Sequence, residues 1–280
     1  MTAGTLYIVA TPIGNLLDLS PRAQETLQNV DIIAAEDTRH TGKLLSHFSI
    51  QNRQVALHDH NESGVAKKLL QDLKSGLSVA LVSDAGTPLV SDPGFRLVRD
   101  AHEAGIVVSP IPGPSAAIAA MSVAGIPSDR FAFEGFLPAK REARRAMLKS
   151  LQTDTHTLVF FESVHRISDT LSDMSEVLGA DRIAYLGREL SKMHEQGVRT
   201  SLRDLQAMVD SGEIVSKGEF VLVVDGAAPV AGEGASVGAD ELLAVLLDVL
   251  PGSQAVDIVT SLSGRNRNAV YKEMLRLKSS

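Results

Sequence analysis

From Thr5 to Ala124 short apolar runs alternate with helical stretches, and this alternation limits the fold more than any other feature of the chain. TLYIVA (Thr5–Ala10), VDIIAAE (Val30–Glu36), Val55–Asp59, Ser78–Asp84 and Ile106–Ile111 read as strands. Between them, Ser20-Pro21 supplies an N-cap and a first-turn proline for RAQETLQN. Asn61–Leu73 carries Val65, Leu69, Leu70 and Leu73 at helical spacing, and helices are expected again over Gly94–Glu103 and Ser115–Ala124. Such β-α alternation calls for a largely parallel sheet covered by helices. Ligands of such sheets sit beyond the carboxyl ends of the strands.

The pattern then changes. FAFEGFL (Phe131–Leu137), TLVFF (Thr157–Phe161), RIAYLG (Arg182–Gly187) and FVLVV (Phe220–Val224) read as strands of a second, more antiparallel α/β domain. AAPVAGEGASVG lacks periodicity and reads as a linker. Three short helices follow, broken at Pro251-Gly252 and Ser263-Gly264. The expected divisions are therefore 1–115, 116–226, a linker over 227–239, and a three-helix domain over 240–280.

The 280 residues suffice for such a plan, at ~100–200 residues per domain. No run of ~18 apolar residues occurs, so no membrane-spanning helix is expected. The start, MTAGTLYIVATPIGN, has no basic residue before its apolar run, which argues against a secretory signal. The chain has no cysteine, which removes disulfides, thiol nucleophiles and thiolate metal sites and fits a reducing, cytoplasmic setting. Net charge is −7, so any attraction to nucleic acid must come from local patches. Two segments qualify: Lys140–Lys149, and the tail from Ile258 with Arg265, Arg267, Lys272, Arg276 and Lys278 against Glu273. Solvated helix faces would explain each equally well.

Three loops at strand ends are rich in proline and glycine: Thr11–Asn15, VSDAGTPLVSDPG (Val82–Gly94) and Pro112–Ser115. Proline fixes the bend and glycine bares the backbone. Ser115 can cap the helix it opens, whose free N–H groups face outward. Any one loop is ordinary turn chemistry; three together suggest one shared small-molecule site.

The strings ATPIGN, AEDTR, LHDHNE, VSDAGTPLVSDPG, PIPGPSAAIAA, FFESVHR, GREL and KGEFVLVV run in order over residues 4–225. As a set they resemble the tetrapyrrole (corrin/porphyrin) methylase superfamily and, more narrowly, its bacterial small-subunit rRNA methyltransferase I branch. The resemblance implies two α/β domains with S-adenosylmethionine in the cleft between them, a C-terminal helical domain, and a homodimer. It also implies 2′-O-methylation of a cytidine ribose in the decoding region of 16S rRNA, within the 30S subunit. It implies cofactor contacts for Pro12, Ile13, Asp84, Gly86, Thr87, Ser115 and Ala116, and, from the second domain, Phe161, Leu186 and Glu219. Many superfamily members carry GxGxGD in the first loop where this chain has TPIGN, which suits an RNA substrate better than a porphyrin. A small-molecule methylase and a non-enzymatic RNA-binding assembly factor are the rival readings.

Methyl transfer to a ribose hydroxyl needs alignment and a general base. Glu36, Asp37 and Arg39 follow the second strand, and Arg39 can grip a phosphate bidentately while a carboxylate serves as base. Asp37 and Arg39 could equally form a structural ion pair. His58, Asp59, His60 and Glu62 invite a metal, but no third clear ligand group accompanies them and none is expected. Candidate RNA contacts are His58, Arg188, Lys192, Arg265, Arg267, Lys272 and Arg276, together with Glu162, His165 and Glu189; Glu162, His165, Arg188, Glu189 and Lys192 could equally form domain-closing ion pairs. Lys272 and Arg276 share one face of the last helix, away from Val270, Met274 and Leu277.

Overall fold

In the computed structural model, five parallel strands form the first sheet: β1 (Thr5–Val9), β2 (Ile32–Ala35), β3 (Gln54–Ala56), β4 (Val79–Val82) and β5 (Val107–Ile111). Their order is β3-β2-β4-β1-β5. Residues 3–58, 60–228 and 238–278 are described, so Asp59 and most of the expected linker over 227–239 lie outside the described residues. Side-chain alternation sends the sheet to two cores. Ile33 and Ala35 pack with Leu27, Leu44 and Leu45 on one face. Ile32 and Ala34 pack with Leu69, Leu73 and Leu97 on the other. The covering helices are α1 (Pro21–Asn29), α2 (Thr38–His47), α3 (Glu62–Lys74) and α4 (Phe95–Glu103). Ser20 caps α1 through a bond from Ala23 N, as its sequence suggests. The segment after Glu36 turns at once into α2, with Asp37 as its cap.

α5 (Ala116–Ala124) leads into a mixed sheet. Its members, in chain order with the helices between them, are β6 (Phe131–Phe136), α6 (Arg141–Ser150), β7 (Thr157–Ser163), α7 (Ile167–Leu178), β8 (Ile183–Arg188), β9 (Gln196–Ser201), α8 (Leu202–Asp210) and β10 (Glu219–Val224). The order is β6-β7-β10-β8-β9, antiparallel except for β6 on β7. α6, α7 and α8 cover one face around Leu148, Phe160, Leu171, Leu186 and Leu205. α5, apolar on nearly every side, covers the other through Ala117, Ala120, Met121 and Ala124 against Tyr185, Val221 and Val223. β9 was not expected: QGVRTS is polar and occupies an edge.

Both sheets belong to one compact unit, Met1–Ala227. The second unit, Ala228–Ser280, holds α9 (Ala239–Leu247), α10 (Gly252–Ser263) and α11 (Arg267–Lys278). Its small core is Leu243, Ala255, Val256, Val259, Val270 and Met274, with Leu277 against it. No described helix is long and apolar enough to cross a membrane.

Candidate functional site

The loops at the carboxyl ends of β1 and β4 are tied by two main-chain bonds, and Thr11 Oγ1 adds a side-chain bond to Ser83 O at 3.2 Å. Thr11 N donates to Gly86 O at 2.8 Å and Gly86 N donates to Thr11 O at 3.0 Å. Gly86 has φ +82°, a backbone that side-chain-bearing residues rarely adopt, and an added Cβ would sit 3.3 Å from Ile13 Cγ2. Thr87 Oγ1 donates to Pro114 O at 3.0 Å, which binds in the third loop. A fourth loop joins from β2: Asp84 N donates to Glu36 Oε2 at 3.3 Å, and Asp37 N donates to Asp84 Oδ1 at 3.1 Å. The later part of the Val82–Gly94 loop is strained, with Leu89 at φ +73° and Ser91 at φ +71°.

These loops and the face of the second sheet enclose a cavity of about 340 Å³. Ile13, Glu36, Asp84, Gly86, Thr87, Ser115, Ala116, Phe161 and Glu219 all line it, as do Asp92, Phe136 and Glu162. A β-bulge builds the aromatic wall. Phe133 and Phe136, three apart, would face opposite sides of a regular strand. The register shift between Phe133 and Gly135 turns both onto Phe161, with ring centroids at 4.8 and 5.8 Å. Among the described residues, five acidic side chains and no lysine, arginine or histidine line the cavity. An adjoining chamber, also about 340 Å³, is lined by Pro12, Ile13, Gly14, His40, Lys43, Asp84, Lys192 and Glu219.

The acids differ in their commitments. Asp37 accepts from Arg39 N at 2.8 Å and from the Arg39 guanidinium at 3.1 and 2.7 Å. The Arg39 guanidinium and then its N–H hold Asp37 far below the usual carboxylate range, so Asp37 is a poor base. Arg39 itself projects outward, its side chain 87% exposed. Asp92 is the opposite case. Burial pushes it up to about 6, the Ser83 hydroxyl opposes this, and the Glu36 and Asp84 charges add to it. Asp92 had not been singled out from the sequence. Its signal is in the sequence: VSDAGTPLVSDPG holds two Ser-Asp-x-Gly units, with Asp84 in the first and Asp92 in the second.

Two of the expected site residues have side chains turned away from both cavities. Leu186 is fully buried among the α6–α8 helices, because strand alternation turns it from the cavity while Tyr185 faces α5. Arg188 is buried too, and its guanidinium donates to Lys217 O at 2.6 Å and His194 O at 3.0 Å, so it is not offered to RNA. Lys192 Nζ sits between Glu189 Oε1 at 2.8 Å and Glu219 Oε2 at 2.9 Å. Burial lowers its pKa, but these two carboxylates more than reverse that, so it stays charged. The basic run of α6 is largely ion-paired: Arg141, Arg144 and Arg145 converge on Asp173, with Arg144 and Asp173 buried and Arg141, Lys140 and Lys149 exposed.

The LHDHNE segment is a hydrogen-bonded turn in its described part. Asn61 Oδ1 accepts from His58 N at 2.9 Å, and Glu62 Oε1 accepts from Gly94 N and Arg96 N. His58 lines neither cavity, and its Nδ1 is buried without a partner. Among the described residues no group of three or more His, Asp or Glu is set to hold a metal. In the C-terminal unit, Arg265 pairs with Asp240, Arg267 with Asp257 and Arg276 with Glu273, while Lys272 is exposed.

Comparison with known sequences gives a consistent result. The family described as Tetrapyrrole (Corrin/Porphyrin) Methylases matches residues 5–206, and the RsmI C-terminal HTH domain matches residues 233–278. A protein of Xylella fastidiosa named ribosomal RNA small subunit methyltransferase I is 52% identical over 270 residues, covering 96% of this chain and 98% of its own. A protein of the same name from Pseudomonas aeruginosa is 48% identical over 278 residues, covering 99% and 98%. Among solved structures, the methyltransferase CobJ aligns with TM-score 0.60 at 18% identity, over 81% of this chain and 95% of its own. Uroporphyrin-III C-methyl transferase from Thermus thermophilus, complexed with S-adenyl homocysteine, aligns with TM-score 0.55 at 17% identity, over 79% and 97%.

Proposed function

The chain belongs to the tetrapyrrole (corrin/porphyrin) methylase family and, within it, to the ribosomal RNA small subunit methyltransferase I group; from that premise we propose that it methylates the 2′-oxygen of a cytidine ribose in the decoding region of 16S rRNA, using S-adenosylmethionine. The observation that carries this reading is the cavity wall of five acidic residues without a cationic side chain. Such a wall favours a ligand bearing positive charge. Bound S-adenosylmethionine supplies a methyl group on a positively charged sulfur. The residues present fit that ligand in four ways. Asp84 and Glu36 offer carboxylates to its cationic groups. Gly86 leaves room where a Cβ would crowd Ile13. The N-terminus of α5, where the Ser115 side chain makes no cap bond, leaves N–H groups for an anionic end. Phe136 and Phe161 supply apolar surface for a flat ring.

The substrate side is basic. Arg39, His40 and Lys43 lie on α2, and His40 and Lys43 line the adjoining chamber beside Asp84. That chamber suits a nucleotide entering with its phosphate toward α2. The 30S subunit in the cytoplasm is the proposed setting. A homodimer is the proposed assembly, and apolar side chains exposed at Val107 on β5 and at Ile118 and Val123 on α5 offer surface for it.

The test is transfer of tritiated methyl from labelled cofactor to purified 30S subunits and to a precorrin. Label in 30S rRNA that survives alkaline hydrolysis as a dinucleotide identifies a ribose methyl, because the blocked 2′-oxygen can no longer attack the neighbouring phosphate. Label in the precorrin alone would overturn the RNA reading. Label released as a methylated base nucleotide would overturn the 2′-O assignment.

A further inference from the structure

The geometry points to Asp92 as the general base that takes the proton of the ribose hydroxyl, an inference that rests on the 2′-O reading above. Five acidic residues line the cavity, and four have other duties. Glu36 accepts the N–H of Asp84, and Asp84 accepts the N–H of Asp37. Glu162, buried, accepts from Thr170 Oγ1 and Ser163 N at 2.7 Å and pairs with Arg166 at 3.4 Å. Glu219 holds Lys192 at 2.9 Å. Asp92 makes no salt bridge among the described residues, and it lines the cavity from the strained half of the loop.

The surroundings of Asp92 favour proton uptake. The groups that face it are Glu36 from the loop after β2, Asp84 and the Ser83 hydroxyl from the loop after β4, and across the cavity Glu162 on β7 and Glu219 on β10. Among the described residues, no cationic side chain lines the same space. A carboxylate half-buried among like charges binds a proton more readily than one gripped by donors. Its titration near 6 leaves it mostly ionised at neutral pH and still basic enough to act. Ser83 Oγ supplies an independent sign. It is buried at 3% residue exposure and has no hydrogen-bond partner, although it lies close enough to Asp92 to temper it. Ser83 also lines the adjoining chamber. This hydroxyl beside the base, on the wall of that chamber, is placed to hold the incoming oxygen.

In the step, a lone pair of the 2′-oxygen forms the bond to the methyl carbon. The carbon–sulfur bond breaks with its electron pair kept by sulfur. The hydroxyl proton passes to a carboxylate oxygen of Asp92. Alcohol, sulfonium and carboxylate thus become ether, thioether and carboxylic acid, with charge conserved.

Three measurements test this. In the cofactor-free protein labelled with ¹³C at aspartate carboxyls, one resonance should titrate with a midpoint of about 6 and vanish in Asp92→Asn. In single turnover on saturating 30S subunits, Asp92→Asn should lose about 10²- to 10⁴-fold in rate, and Asp92→Glu should recover part of it. Affinity for S-adenosylhomocysteine should hold in both variants. The wild-type single-turnover rate should rise about tenfold per pH unit below about 6 and level off above it. A ribose methyl formed by Asp92→Asn at the wild-type rate, or a wild-type rate flat from about pH 5 to 8, overturns Asp92 as base and leaves the ribose reading standing. The wild-type profile decides the matter even if Asp92→Asn does not fold. An alkali-sensitive wild-type product overturns the ribose reading and this role together.

Discussion

Glu62 reaches from the first turn of α3 to the end of the long loop, where its Oε1 accepts from Gly94 N at 3.2 Å. The same oxygen accepts from Arg96 N at 3.0 Å, and Arg96 Nε stands 3.7 Å from Oε2. A carboxylate from one helix thus caps the next, α4, whose own cap position is a glycine without a side chain. Because Gly94 closes the loop that carries Asp84 and Asp92, this cap seats the floor of the cavity.

Glu62→Ala should therefore lower unfolding free energy by about 1–3 kcal/mol, since it strands buried N–H donors. Glu62→Gln keeps an acceptor and should recover most of that. Urea melts of the two variants make the comparison. Equal losses in both would mean that the charge of Glu62, not its hydrogen bonds, supports the loop.

Asp84→Ala should weaken S-adenosylhomocysteine and S-adenosylmethionine binding by roughly 10- to 100-fold, the scale of one lost hydrogen bond to a charged group. The fold should persist, because the Thr11–Gly86 main-chain bonds remain. Calorimetric titration of the folded variant reads this directly, and unchanged affinity for both ligands would remove Asp84 from the cofactor wall.

Arg39→Ala should slow single-turnover transfer to 30S subunits while cofactor affinity stays near wild type. The guanidinium is 87% exposed and touches its own helix cap, so its loss should cost little stability. Asp37→Asn keeps an N-cap acceptor and should stay folded. A wild-type rate for Arg39→Ala would take α2 out of substrate binding.

The Asp92 carboxyl also predicts a pH-dependent stability. Its folded pKa lies above the unfolded value, so the folded state holds more protons between about 4 and 6. Stability from this group is present at low pH and declines as pH rises through that window. Asp92→Asn should therefore melt higher than wild type at pH 8, with the difference shrinking toward pH 4. Thermal melts across that range give the slope; a constant difference would deny the raised pKa.

Lys272→Ala combined with Arg276→Ala should flatten the salt dependence of 30S binding by about two log units per log salt if both meet phosphate. Arg276 pairs with Glu273 at 2.7 Å, so its share could be replaced by freeing the acid. Unchanged slope and affinity in filter binding would assign the face to another duty.

Sequence reading reached the strands whose burial is built into their composition. β2 and β4 are apolar throughout because helices cover both faces. β9 escaped because an edge strand needs no apolar run, and α2 escaped because TRHTGKLLSH buries only Thr41, Leu44 and Leu45. The loop residues that line the cavity follow from glycine and proline at strand ends, which is local chemistry. The unusual state of Asp92 does not, because Phe136 and Glu36 come to it from other parts of the chain. The same holds for Arg188, whose partner Lys217 O is supplied by a turn near the start of β10.

The bridge between Thr11 and Gly86 is made of peptide groups on both sides. Replacement of the Thr11 side chain leaves those bonds in place, and the glycine is needed for its backbone rather than for any contact it makes. Two loops joined in this way can be inherited as a fixed socket while the neighbouring side chains change from lineage to lineage. The acids of the cavity, and the Arg39, His40 and Lys43 face beside it, are then the adjustable part: a descendant could exchange what it modifies without rebuilding the grip that orients the donor.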